Sequence, residues 1–305
     1  MKKTIGFIVS ISLMGCFTLS AQQLPLISQY VQNDFVLNPA IAGNKDYAPI
    51  RTSIRNQWAG LEGNPNSQTL SFHSAMKNPK VGIGAFLFND KIGPISQTGI
   101  SASYAYHLKL SNESKLSFGL SGLLSIHQLN TNQLKFDQQN NTDNVLTTGD
   151  FKAYYPNFSF GTYYTGKNYY VGLSIPELIQ TKISNSKDYF IIQQARHYYL
   201  TGGYKFKLNE NYTVLPSFLI RYVSAAPIGI DINASFEAFE KFNFGISYRK
   251  ADAIVPFFGF RIKETYILCY SYDITMSGLN KHTRGSHEIT LGYNLHRKKS
   301  NASIQ

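Results

Sequence analysis

The sequence predicts an all-β fold, namely a transmembrane antiparallel up-and-down β-barrel of about 14 strands with short periplasmic turns and longer extracellular loops. Three observations predict it. Apolar and small polar residues alternate over long segments, short and long connections alternate along the chain, and only 15% of the 305 residues are charged. A soluble domain usually carries about 25% charged residues, so the low charge favours a membrane protein.

The first residues have the three parts of an export signal. Met1-Lys2-Lys3 is basic, Ile5 to Leu19 is apolar, and Leu19-Ser20-Ala21 fits a signal peptidase cleavage site. Residues 1–21 are therefore predicted to be a signal peptide. Leu13-Met14-Gly15-Cys16 also resembles a lipobox, so lipidation at Cys16 stays open as an alternative.

Residues 22–47 precede the first strand and show no strand pattern. Asn38 and Pro39 begin one turn-forming run, and Gly43 belongs to a second. We expect this segment either to fold into the barrel lumen as a plug or to hang in the periplasm as a docking segment. Asn38, Pro39 and Gly43 are the candidate residues for that role.

The barrel itself is predicted over residues 48–296 from a period of two residues. Between Lys115 and Ile126, for example, even positions carry large apolar residues and odd positions carry mainly Ser and Gly. Side chains on a strand alternate between its faces, so such a segment has one apolar and one small polar wall. A soluble sandwich shows the same alternation, but its strands run about 5–6 residues, whereas barrel-spanning strands need about 9–11.

The predicted strands and the connections between them agree with this topology. The segments are 48–58, 65–76, 80–89, 96–110, 114–127, 150–165, 168–175, 196–208, 212–223, 226–238, 241–250, 254–263, 265–274 and 286–296. The long connections, 128–149, 176–195 and 275–285, are all odd-numbered, as expected for extracellular loops when the mature chain begins in the periplasm. A basic tail, 297–305, follows the last strand.

Two prolines lie inside predicted strands. Pro216 and Pro256 each remove a backbone donor from the sheet, and we expect local bulges to accommodate them. Tyrosine doublets near segment ends place one ring on each face, where the outward rings are suited to an interfacial aromatic girdle.

Charge and composition argue against several other functions. The net charge of +11 is scattered along the chain rather than gathered in a basic arm or helix, so we predict anionic lipid headgroups or an acidic partner and no nucleic acid. Ser286 and His287 point to opposite faces of a strand and form no nucleophile–base pair. Neither a metal site nor a cofactor is expected, and the sequence predicts no enzyme.

A polar group is predicted at the outer end of the barrel. Arg55, Gln57 and Trp58 end the first strand, Asp273 precedes the last outer loop, and His287 and Glu288 follow it. The hairpin brings the last three together, either as an ion-paired network closing the rim or as a partner-binding patch. Trp58 either contacts a partner protein or packs in the interfacial girdle and loop.

Three stretches together resemble the PorP/SprF family of Bacteroidetes type IX secretion systems. They are Ser28-Gln29-Tyr30 with Asn38-Pro39-Ala40-Ile41-Ala42-Gly43, Arg55-Asn56-Gln57-Trp58-Ala59-Gly60-Leu61-Glu62-Gly63-Asn64-Pro65, and Tyr270-Ser271-Tyr272-Asp273-Ile274-Thr275 with Gly285-Ser286-His287-Glu288-Ile289. Their order and spacing extend the resemblance over nearly the whole mature chain.

The resemblance implies an outer-membrane component needed for type IX secretion or for displaying secreted adhesins, including gliding-motility adhesins. The implied partners are cargo proteins at the cell surface and secretion subunits in the periplasm or outer membrane. The alternative function is that of a porin or hydrophobic-solute transporter of the outer membrane, since a barrel of this size also suits that function.

Overall fold

The computed structural model describes residues 25–131, 151–180, 182–184, 191–224 and 226–296. The predicted signal peptide, Cys16 and the basic tail 297–305 lie outside these residues. No helix within the described ranges has the length and apolar character needed to cross a membrane.

Fourteen antiparallel strands form a closed barrel within the described residues, which confirms the predicted fold class. They are β1 (Tyr47–Asn56), β2 (Asn66–Ala75), β3 (Val81–Ile92), β4 (Ile95–Lys109), β5 (Lys115–Leu129), β6 (Phe151–Thr165), β7 (Tyr169–Ile175), β10 (His197–Tyr204) continued by β11 (Phe206–Lys207), β12 (Tyr212–Val223), β13 (Gly229–Ala238), β14 (Phe242–Arg249), β15 (Ala253–Ile262), β16 (Tyr266–Thr275) and β17 (Ser286–His296). Two three-residue strands, β8 (Lys182–Ser184) and β9 (Ile191–Gln193), pair in a hairpin between β7 and β10.

The first and last strands close the barrel. β1 pairs with β17 in a continuous register from Tyr47 opposite His296 to Asn56 opposite His287. On the far side, β10 pairs with both β7 and β12, so every barrel strand has two neighbours. This register also places Arg55 directly opposite Glu288, which positions the charged group described below.

The two walls of each strand separate as the sequence predicts. In β5 the side chains of Leu120 and Leu124 are more than half exposed on the outer wall, whereas Ser117, Ser121 and Ser125 are buried on the inner wall. Tyr154 and Tyr155 show the same division for an aromatic doublet, with 71% and 1% of their surface exposed. The outer wall is therefore the apolar, membrane-facing surface.

The two ends of the barrel differ in their connections. At the inner rim, tight turns join the strands, and Phe239-Glu240 and Lys263-Glu264 turn with all four φ angles between +50° and +57°. Paired positive φ angles are typical of two-residue hairpins whose twist matches the flanking strands. The opposite end, called the outer rim here, carries the longer connections, including residues 57–65 and 276–285.

The bulges predicted at the two prolines are absent from the ladders. Pro216 lies opposite Ala234, and the β12–β13 register is the same before and after it. Likewise, the β15–β16 ladder keeps one register from Ile254–Ile274 to Phe257–Ser271 while skipping Pro256. The bulge prediction was wrong because losing one donor interrupts a ladder without requiring an inserted residue.

Residues 25–46, called the plug here, lie inside the barrel. They contain two short 3-10 turns, Asp34–Val36 and Pro39–Ile41. The Asn38 side chain caps the second turn by accepting a hydrogen bond from the Ala40 backbone N–H at 3.0 Å. Of the two locations open from the sequence, the plug therefore takes the lumen, where it contacts the inward side chains of most of the barrel strands.

Candidate functional site

A cluster of buried charges lies inside the barrel near the outer rim. Arg55 Nη2 lies 2.7 Å from Asp273 Oδ2, and Arg55 Nη1 lies 3.3 Å from Glu288 Oε2. All three side chains are at most 4% exposed. Three strands that meet at the β1–β17 closure, β1, β16 and β17, thus each supply one member.

Two further arginines extend the group around the wall. Arg249 on β14 lies 3.0 Å from Asp273 and 3.3 Å from Asp231 of β13, and Arg221 on β12 lies 3.0 Å from Asp231. We call these residues the charge cluster: Arg55, Arg221, Arg249, Asp231, Asp273 and Glu288. Within this set three positive charges face three negative ones, and the partly exposed Asp252 lies 3.2 Å from Arg249 beside it, so every buried ion has a counter-charge.

The beginning of the plug completes the cluster. Ser28 Oγ accepts hydrogen bonds from Arg55 and Arg249 at 2.8 and 2.9 Å and faces Asp273 at 2.9 Å. The Ser28 and Gln29 backbone N–H groups donate to Glu288 at 2.8 and 3.3 Å. The charge cluster therefore fastens the plug, because the plug supplies hydrogen bonds that the carboxylates and guanidinium groups need in a dry site.

The charge cluster is the first of three anchors that hold the plug in the lumen. The second anchor lies at the turn that begins with Asn38. Its Nδ2 donates to the carbonyl oxygens of Thr162 and Leu173, at 3.0 and 3.3 Å. Pro39 and Ala40 lie directly on β5, where a Cβ added at Gly119 would overlap their backbone. Glycine on the inner wall therefore provides the space in which the turn is seated.

The third anchor lies towards the inner rim. The Gly43 backbone N–H donates to His73 Nδ1 at 3.1 Å, and the Ala42 carbonyl accepts from His107 Nε2 at 3.0 Å. Because His107 Nε2 then carries the proton, its Nδ1 accepts from Ser117 Oγ at 2.7 Å. Gly82 is pressed against Ala42 in the same way that Gly119 is against Pro39.

Apolar packing joins the anchors. Phe35 and Ile41 of the plug are 1% and 2% exposed and pack with the inner-wall residues Ala105 and Tyr163. Full burial of such a side chain contributes about 1.5–3 kcal/mol each. Tyr30 packs on the opposite wall, and burial raises the pKa of its phenol to about 12, so it stays protonated.

The predicted rim residues divide between two environments. Arg55, Asp273 and Glu288 meet in the charge cluster, whereas His287 faces outwards, with Nδ1 2.7 Å from Tyr270 Oη. Gln57 is buried, and its backbone N–H donates to Pro65 O at 2.8 Å. Trp58 follows β1 at a φ of +53°, and its N–H donates to Ser286 Oγ at 3.0 Å. The plug residues Asn38, Pro39 and Gly43 all lie in the anchors.

Two outer connections, 57–65 and 276–285, are joined into one surface. The Ala59 N–H donates to Gly285 O, the Arg284 N–H donates to Ala59 O, and both distances are 2.7 Å. Tyr272 Oη also donates to Arg284 O at 2.9 Å. These backbone bonds hold the two loops in one arrangement.

Sequence reasoning missed three cluster members and the role of Ser28. Arg221, Asp231 and Arg249 are charged residues on the inner wall of three consecutive strands, β12, β13 and β14. An ionisable residue in the middle of a small polar wall is itself a signal, because it needs a partner on a neighbouring strand. Ser28 gave no such signal, since three of its four partners, Asp273, Arg249 and Glu288, lie more than 200 residues away.

A closed barrel with an apolar outer wall and a filled lumen defines a class, the outer-membrane β-barrel proteins, and this chain is an outer-membrane protein. Within that class it belongs to the PorP/SprF family of type IX secretion system membrane proteins, whose family model matches residues 19–293. No curated protein matches the chain.

Solved structures share its fold at low identity. A Pseudomonas aeruginosa FadL homologue is similar with a TM-score of 0.52 and 9% identity, over 91% of this chain and 96% of that one. The CymD monoaromatic hydrocarbon channel is similar with a TM-score of 0.51 and 10% identity, over 90% and 94%. Such likeness concerns the fold alone.

Replacing Arg55 by Met should destabilise the barrel by about 3–5 kcal/mol, because Asp273 and Glu288 lose a buried counter-charge. The matched control is Arg261→Met, whose ion pair with Glu237 is partly exposed and should contribute less than about 1 kcal/mol. Urea unfolding in lipid vesicles measures both. If both variants lost the same free energy of unfolding, the proposed contribution of the charge cluster to stability would be contradicted.

Proposed function

We propose that this protein acts in type IX secretion as a closed outer-membrane platform on which exported proteins, such as adhesins including gliding-motility adhesins, are secreted or attached. The position of the plug is the observation that supports this proposal. The plug is anchored from the outer end of the lumen to the inner rim, and it occupies the space through which a polypeptide chain would pass. Even porins with 16–18 strands leave only an aqueous channel, so a plugged 14-stranded barrel suits a platform better than a protein conduit.

The joined outer loops support the platform as a docking surface. Met276 and Leu279 are exposed large apolar residues, and Lys281 and Arg284 beside them are exposed cations. Apolar contacts supply binding energy, while the basic pair favours acidic partners and speeds their association. Because the loops are held by backbone hydrogen bonds, little conformational freedom is lost when a partner binds.

The second candidate function is passage of small hydrophobic solutes. It is favoured by the fold shared with the CymD monoaromatic hydrocarbon channel. The two candidates differ in what the plug does. A platform keeps its plug seated, whereas a solute channel has a path around it or releases it.

Reconstituted wild-type protein should show no stable open pores in planar bilayers. Gly119→Leu should open them, because the new side chain overlaps Pro39 and Ala40 and displaces the plug. Gly122→Leu is the matched control, since Gly122 lies on the same strand, faces outwards and has free space around it. Stable, ion-selective pores in the wild type would contradict the platform and favour the channel.

Deleting the gene should abolish surface display of type IX cargo adhesins, and a wild-type copy should restore it. Immunolabelling of intact cells measures display, and immunoblots of the culture medium measure secretion. A Leu279→Ala/Lys281→Ala/Arg284→Ala copy should insert normally and yet restore display poorly, because it lacks the docking surface. Unchanged display in the deletion strain would refute the platform function.

A further inference from the structure

A second feature of the lumen is a cavity of about 120 Å³ between the plug and the inner wall. Ile27, Phe35 and Leu37 of the plug line one side, and strands β2 to β6 line the other. The cavity runs from Pro39 in the middle of the barrel towards the outer rim, where Glu177 of the β7–β8 connection lies against it.

The wall of this cavity departs from the rest of the inner face. Most inward positions of β3 to β6 carry Ser, Gly or Ala, but Phe86 and Phe88 of β3 and Leu123 of β5 point inwards here. Gly99 opposite Phe88 leaves room for its ring, since a Cβ at Gly99 would touch it. The apolar residues are therefore accommodated by their neighbours within the lumen.

The plug covers these side chains only in part, through the edge-on contact of Phe35 with Phe86. Phe86, Phe88 and Leu123 remain only partly buried, although each borders the plug side of the lumen. Large apolar residues that face a lumen and stay partly exposed lose part of the stabilisation that burial provides. An apolar occupant would recover that loss, as it does in a ligand pocket.

Polar groups stand at the outer end of the cavity. Asp90 of β3 and Gln97 of β4 lie in register opposite one another and line it together. Serines of β4, β5 and β6 also line the cavity, namely Ser101, Ser103, Ser121 and Ser159. A mainly apolar cavity with a few convergent polar groups is the usual composition of a small-molecule site. The apolar part takes the body of a ligand, and the polar end fixes its orientation.

We propose that this cavity binds a small, predominantly apolar molecule about the size of one benzene ring, with a hydroxyl or similar donor directed at Asp90 and Gln97. The size follows from the volume, because apolar protein cavities of about 150 Å³ bind benzene. The site is separate from the docking surface and from the charge cluster, so it stands or falls independently of the platform function.

Binding of 4-fluorobenzyl alcohol to the full-length protein in lipid nanodiscs tests this site. Fluorine NMR, with empty nanodiscs subtracted, should show one saturable site per protein. Toluene should displace the probe, whereas 1-adamantanol, which is too bulky for the cavity, should not. If the wild-type protein shows no saturable binding of the probe, or if both competitors displace it equally, the proposal is wrong.

A pair of variants locates the site. Leu123→Trp fills the cavity and should remove the saturable component, whereas Leu124→Trp, one residue along β5 on the lipid-facing wall, should retain it. Heat-modifiable migration in electrophoresis checks that both barrels are folded. Retention of the saturable component by folded Leu123→Trp would place the site elsewhere and refute this assignment.

Discussion

The ion pairing of Arg55 with Asp273 and Glu288 is the interaction on which the rest of the structure depends. It joins the first strand to the last two at the closure of the barrel, and it creates a charged site whose side chains are at most 4% exposed. Buried ions require additional hydrogen bonds, and the plug supplies them through Ser28 and Gln29. Barrel closure and lumen filling are therefore one coupled event.

The plug and the inner wall are matched along their whole contact. Gly82 and Gly119 have no side chain and so leave room for the plug backbone against the inner wall. Ring nitrogens of His73 and His107 form hydrogen bonds with backbone groups of the plug. Nearer the inner rim, the Asp34 carboxylate 3.4 Å away raises the pKa of Lys45, so this lysine is positively charged at neutral pH. These small and polar inner-wall residues thus each contact a specific group on the plug.

The barrel could be predicted from sequence, because alternation, strand length and connection length report the same membrane constraint independently. The sequence also put Arg55, Asp273 and Glu288 near the outer ends of their strands, and in the structure their side chains meet in one cluster. The plug contacts could not be predicted, since Ser28 meets partners that only barrel closure brings near it. His287 was placed with Glu288 because both follow one loop, yet adjacent strand residues face opposite walls.

A seated plug beneath ordered outer loops is the central feature of this account, because it relates the paired charges within the lumen to the proposed closed-platform function. Hydrogen–deuterium exchange of the full chain in nanodiscs tests it most directly. Peptides covering residues 26–44 should be protected for hours, like those of the neighbouring strands, because their backbone groups are bonded inside the barrel. Exchange of that segment within seconds, beside protected strands, would contradict the account.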